Sequence, residues 1–161
     1  MDLEFLFSTT PFVSSDGGGF SIVKPNRTEV VKLPAGKQVH TFPLPNEYQA
    51  KNVLVEVVGG GKRRSAAVYA NELRATVSEN FGMLTIRHAK DDRPLPTVYV
   101  KVYVMTGTGA KFYKDGYTDL RGKFDYATVS TTDIADATKF SILVMSEEHG
   151  ATVLEAPLPQ R

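Results

Sequence analysis

Polar and apolar residues alternate most strictly in TVYVKVYVM, residues 97–105, where Val98, Val100, Val102 and Val104 share one face and Tyr99, Lys101 and Tyr103 the other. A period of two describes a strand with one face on a core and the other in solvent or at an interface; on a helix the four valines would scatter around the axis. Runs of the same kind begin at Asn52 (NVLVEVV), Ser65 (SAAVYA), Leu73 (LRATVSE), Gly82 (GMLTIRHA), Lys123 (KFDYATVS), Lys139 (KFSILVMSE) and Ala151 (ATVLEA). Turn formers separate them: GGGK at 59–62, DDRPLP at 91–96, TGTG at 106–109, KDG at 114–116, LRG at 120–122 and EEHG at 147–150. Short strands at this spacing predict an all-β chain folded as an antiparallel β-sandwich. The one helical candidate is TDIADATK, with Thr132 or Asp133 as its cap.

The first thirteen residues read as a further strand. Leu3, Phe5 and Phe7 fall on one face under a two-residue period, and Phe12 follows shortly after. SSDGGGF, at 14–20, reads as a flexible joint, and KPNRT and FPLPNEY interrupt pairing with proline. The expected organisation is an extended terminal strand and Gly-rich joint at 1–19, a β region at 20–80 and a sandwich at 81–161. The soft boundary lies near Asn80, and the parts form two strand groups or two small β-domains.

Composition changes the picture mainly by exclusion. Nineteen basic residues face 18 acidic ones in 161 residues, so bulk charge recruits neither nucleic acid nor an anionic membrane. With no cysteine there is no disulfide framework and no thiolate chemistry. No window approaches the ~20 apolar residues of a membrane-spanning helix, and the start, MDLEFLFSTTPF, lacks the basic segment of a secretory signal.

From Phe81 onward the pattern resembles the transthyretin-like or carboxypeptidase regulatory-like β-sandwich, a superfamily that includes the B repeats of collagen adhesins. Three pieces carry the likeness: GMLTIRHAKDDRPLPTVYVKVYV, FYKDGYTDLRGKFDYATVS and KFSILVMSEEHG. Physical expectations stand beside it. Gly122 supplies a positive φ to a tight turn, and Asp119 accepts backbone amides within that turn. Phe124 and Tyr126 point inward, and Pro94 and Pro96 precede a strand rather than interrupt it. The resemblance implies an accessory module. The internal lysine–asparagine crosslink of some adhesin repeats is not expected, because GMLTIRHA has no lysine and ATVLEAPLP no asparagine.

Reactive groups look dispersed. His88 and His149 would make a metal or acid–base site only if a sheet brought them together beside Asp91, Asp92 or Glu148. No short ligand spacing supports that, so His40, His88 and His149 are expected to cap strands or face solvent, with no metal, cofactor or catalytic residue assigned. Asp115, Asp119 and Asp125 lack the spacing of a calcium loop and read as turn residues. The glycine runs 17–19 and 59–61 are not phosphate cradles, and no GxSxG is present. Lys62, Arg63 and Arg64 form a basic hairpin tip, and Asn26 opens an NRT sequon that matters only on export.

The function expected from these readings is non-enzymatic: an extracellular or cell-surface structural subunit whose partner is itself, as an oligomer or as a fibre or filament, with neither nucleic acid nor membrane insertion involved. Its assembly strand would present Leu3, Phe5, Phe7 and Phe12 to a neighbour. Burying three such side chains contributes roughly 5–8 kcal/mol before ordering costs. Tyr99, Lys101 and Tyr103 would add an outer-face interface. The alternative is a carbohydrate- or peptide-binding accessory module, with Tyr99, Tyr103, Tyr113 and Tyr117 as an aromatic platform. A small hydrolase or lyase ranks last.

Overall fold

The computed structural model describes residues 3–12, 24–128 and 135–159. Among them lie one α-helix, α1 (Leu3–Thr9), two single-turn 3-10 helices (Asn46–Tyr48 and Glu79–Phe81), and nine strands: β1 (Val53–Gly59), β2 (Lys62–Val68), β3 (Leu73–Ser78), β4 (Met83–His88), β5 (Tyr99–Thr106), β6 (Gly109–Tyr117), β7 (Lys123–Asp125), β8 (Ala137–Ser146) and β9 (Gly150–Pro157). β1 and β2 form a hairpin, β3-β4-β7 a three-stranded sheet, and β6-β5-β8-β9 a four-stranded sheet; all their pairings are antiparallel.

The two larger sheets face each other across one core. Leu84 and Ile86 come from β4 and Phe124 from β7, with Tyr126 just beyond it; Val100, Val102 and Val104 come from β5, and Phe140, Ile142 and Val144 from β8. The valine alternation of β5 is realised directly: its even residues are buried and Tyr99, Lys101 and Tyr103 lie on the other face. β3 falls within the stretch expected to end at Asn80, yet it pairs residue by residue with β4 and packs Leu73, Ala75 and Val77 against the core. The sandwich therefore includes strand residues on both sides of that boundary.

Turn chemistry also follows the sequence. Gly122 has φ +70°, and a Cβ there would lie 2.3 Å from the Ile86 carbonyl oxygen. Asp119 accepts the backbone amides of Arg121 at 2.8 Å and Lys123 at 2.9 Å. Those bonds, with the Lys123 amide foremost and the Arg121 guanidinium beside it, hold the Asp119 carboxyl below the usual carboxylate range. In the β1–β2 hairpin, Gly60 and Gly61 both have positive φ, the requirement of a two-residue turn that follows the strand twist.

Two element expectations are corrected. The amino-terminal segment is a helix, not a strand: Leu3, Leu6 and Phe7 are buried, whereas Phe5 is 68% exposed. Spacing of three and four residues, not two, decides which side chains meet the sheet. The helix ends at Thr9, whose hydroxyl donates to the Leu6 carbonyl, just ahead of Pro11. In the second correction, Ala137–Lys139 of the TDIADATK segment open strand β8. Thr132 and Asp133 lie outside the described residues, as does SSDGGGF.

Candidate functional site

The outer face of β5 is where an interface was expected, and the chain's own first residues sit on it. Leu3 and Phe7 pack with Leu143, Ala151, Tyr103, Met145 and Val153. Phe7 meets the Tyr103 ring edge-on at 5.3 Å between centroids. Lys101 Nζ lies 2.9 Å from Glu4 Oε1, a bond that outweighs desolvation and raises the lysine's pKa. The Ser141 hydroxyl donates to the Pro11 carbonyl, and Phe12 is buried beneath the Lys139 ammonium, 4.9 Å from its ring. Leu3, Phe7 and Phe12 thus complete the chain's own sheet face, while Phe5 faces solvent. A donated strand would need these same side chains in another subunit, so that reading is withdrawn.

The aromatic platform is likewise dispersed. Tyr99 and Tyr117 stand together at 5.5 Å, but Tyr113 stacks on Phe140 of the core and Tyr103 lies under α1. Tyr99 donates to Asp115 Oδ2 at 2.7 Å; burial first, and the carboxylate second, push its phenol well above the ordinary tyrosine value. Asp115, Asp119 and Asp125 do not converge: the first takes Tyr99, the second closes its turn, and the third is exposed on β7.

The histidines behave differently from expectation. His88 ends β4, His149 occupies the turn between β8 and β9, and the fold brings their rings to 5.0 Å. Glu72, which nothing in the sequence marked, lies beside both. Its Oε2 is 3.5 Å from His88 Nε2 and 4.0 Å from His149 Nδ1. Among the described residues this is the one group of three or more histidine and carboxylate side chains whose ligand atoms gather, all within 4.8 Å of one another.

Backbone bonds set this arrangement. The Glu72 amide donates to the His149 carbonyl at 2.8 Å, and the Ala89 amide donates to the Glu72 carbonyl at 2.8 Å. Asn71 forms a bridge with Gly150, whose φ of +80° lets the backbone pass where a Cβ would lie 2.4 Å from the Ala70 carbonyl oxygen. Residues 70–72 therefore run between the end of one sheet and a turn of the other. Side chains complete the surround. Asp91 Oδ1 lies 2.8 Å from His88 Nδ1. Lys90 binds Glu72 Oε1 and is the chief cause of that carboxyl's lowered pKa. The imidazoles expected to be scattered caps are paired, and no spacing of positions 72, 88 and 149 announces it.

His40 and Asn26 lie in the exposed stretch 24–43. Lys62, Arg63 and Arg64 project from the β1–β2 hairpin beside Val57 and Val58, which are 55% and 63% exposed. Arg63 lies 3.6 Å from Glu56.

Comparison with known proteins places this architecture. Residues 72–161 match the family described as AbpF C-terminal domain, and residues 1–55 match AbpF seventh immunoglobulin-like domain. The chain is 41% identical over 160 residues to Actin-binding protein F of Dictyostelium discoideum, covering 99% of this chain and 7% of that protein. No solved structure matches. The matches support an immunoglobulin-like sandwich; the transthyretin-like assignment finds no confirmation in them. Two further expectations are overturned by the relative. That relative is named for binding actin, which stands against a partner that is only a further copy of this chain and against an extracellular or cell-surface location. The chain belongs to the AbpF C-terminal domain family.

Proposed function

We propose that this chain is a non-enzymatic immunoglobulin-like module of an actin-binding protein and that it contributes directly to actin contact. The observation that carries the reading is the match to Actin-binding protein F along nearly the whole chain, through the exposed amino-terminal stretch as well as the sandwich. That relative is far longer than the chain, which spans 7% of its length.

The contact surface that fits best is the β1–β2 hairpin. α1 covers much of the outer face of the four-stranded sheet, and the inner faces form the core. The hairpin stands apart as a two-stranded sheet and presents Lys62, Arg63 and Arg64 beside the exposed Val57, Val58 and Val68. By register Lys62, Arg64, Val57 and Val68 share one face of the hairpin and Val58 and Arg63 the other. Apolar side chains beside cations suit an acidic protein surface, where desolvated contacts supply affinity and charge supplies orientation. Cosedimentation with actin filaments tests this. The intact chain pellets with filaments in a saturable, salt-sensitive manner, and Lys62→Glu with Arg64→Glu weakens binding at least tenfold without altering the thermal midpoint. Failure of the intact chain to pellet at any filament concentration refutes actin contact; equal pelleting of the double variant refutes the hairpin as the surface.

A further inference from the structure

We propose that Glu72, His88 and His149 form a zinc-class metal site that clamps the two sheets of the sandwich together at one end. The inference begins with protons. Asp91 Oδ1 lies 2.8 Å from His88 Nδ1, so in the neutral ring that nitrogen carries the hydrogen and donates it. The lone pair is then on Nε2, the nitrogen that faces Glu72 Oε2 at 3.5 Å. A carboxylate orienting a histidine in this manner is the usual outer support of a metal-bound imidazole.

Acceptor faces acceptor across that gap. A third joins them in the His149 tautomer that carries its hydrogen on Nε2, the nitrogen 3.8 Å from Glu148 Oε2: Nδ1 is buried, has no hydrogen-bond partner, and lies 4.0 Å from the same Glu72 oxygen. A buried polar atom left unpaired is costly, and here it is aimed at two other electron-pair donors. One divalent cation satisfies all three. Lys90 engages the opposite oxygen, Oε1, and leaves Oε2 to the histidines.

The dimensions suit an ion of this class. Zinc with ligands at 2.0–2.1 Å in tetrahedral array needs donor atoms about 3.3 Å apart. The three atoms here lie within 4.8 Å of one another, so the widest gap closes by at most about 1.5 Å, a side-chain adjustment. Both imidazole side chains are little exposed, at 11% and 13%, and their backbones are already tied together through Glu72. Two imidazoles with one carboxylate favour zinc and its neighbours over magnesium or calcium, which prefer oxygen cages. A fourth position is left for water, while the Glu148 carboxylate stands 3.8 Å from Nε2, the nitrogen of His149 that would not hold the ion.

The consequence is mechanical. Glu72 precedes β3, His88 closes β4, and His149 sits between β8 and β9. A single ion therefore joins the three-stranded sheet, the four-stranded sheet and the segment leading in from the hairpin.

The test uses the full chain stripped of metal with a chelator and then titrated with Zn²⁺ or Co²⁺. One equivalent binds. At a hundredfold excess over the dissociation constant the thermal midpoint rises by about 5–10 °C, and Co²⁺ develops the visible absorption of a low-coordinate nitrogen–oxygen site. His149→Gln removes both effects. Glu72→Gln, at a partly exposed carboxylate, weakens binding at least tenfold and serves where the histidine variant folds poorly. The proposal is overturned if Zn²⁺ moves no midpoint, if the shift survives in both variants, or if the midpoint answers to pH between 5 and 8 but not to metal. That last result would assign the pocket to an imidazolium held between Glu72 and Asp91.

Discussion

Phe5 and Phe7 offer a direct test of how the amino terminus docks. On a strand, residues two apart share a face, and truncating either would cost about the same. On α1 they part company: Phe7 is 2% exposed against Tyr103, Met145 and Val153, while Phe5 is 68% exposed. Burying a phenylalanine side chain contributes about 1.5–3 kcal/mol. The edge-on Tyr103 ring, at 5.3 Å, adds about 0.5–1.5 kcal/mol. Phe7→Ala should therefore cost about 2–4 kcal/mol, the lower end applying if α1 peels away and the sandwich stays folded. At about 2–4 °C per kcal/mol for a chain of this size, the midpoint falls by roughly 4–16 °C. Phe5→Ala should stay within about 0.5 kcal/mol, as exposed positions do. Urea unfolding of the two variants beside the parent measures both. Equal costs at the two positions would refute docking as a helix, and a negligible cost at Phe7 would refute docking altogether.

Three other outcomes follow from the fold. Gly150→Ala places a methyl group 2.4 Å from the Ala70 carbonyl oxygen at a φ of +80°, so it should lose about 2–4 kcal/mol in denaturant titration. Ile142→Ala, at a fully buried position of β8, should lose about 2–5 kcal/mol, measured the same way. Asp119 has a folded pKa below its unfolded one, so its contribution is complete above the ordinary carboxylate range and disappears as pH falls through the folded value. Asp119→Asn should accordingly be less stable than the parent at neutral pH, and the difference should shrink in acid; an unchanged gap at low pH would contradict the sign.

The strands were legible because their signal is local and long. Eight residues of β5 alternate without a break, and no other element type fits them. The Asp119–Gly122 turn was legible for a similar reason, since one carboxylate and one glycine perform the whole task within four residues. α1 was not. In LEFLF, positions 3, 5 and 7 satisfy a period of two, while 3, 6 and 7 satisfy a helix, and seven residues are too few to separate the periods. What decides is the surface of β5 and β8, with Lys101 waiting for Glu4, and that surface exists only after folding. The histidine pair was harder still. Asp91, three residues after His88, was a local hint, but His149 and Glu72 reach the site by strand pairing across the sandwich. Ligand spacing in sequence finds sites built on one hairpin or helix; it is blind to one built where three segments cross.

The same crossing gathers Asn71, Glu72, His88 and His149 where the hairpin joins the sandwich. Residues 69–72 lead from the hairpin into the sandwich, so a pull applied at the hairpin reaches Tyr69, packed against the cluster under α1, and then Asn71 and Glu72. Both are secured on two sides. Asn71 donates through its side-chain amide to the Ala151 carbonyl at 3.2 Å and accepts the Leu73 amide at 3.0 Å, and Glu72 is bonded through its backbone to His149 and Ala89. Hydrogen bonds of this kind contribute only about 1 kcal/mol each at equilibrium. They lie between the hairpin and the two sheets, so together with the packing of Tyr69 they share a load that enters there. An ion held by Glu72, His88 and His149 would stiffen the same junction, since releasing it requires all three segments to separate together. On this view the apolar layers set how stable the sandwich is, and the polar end governs how force enters it.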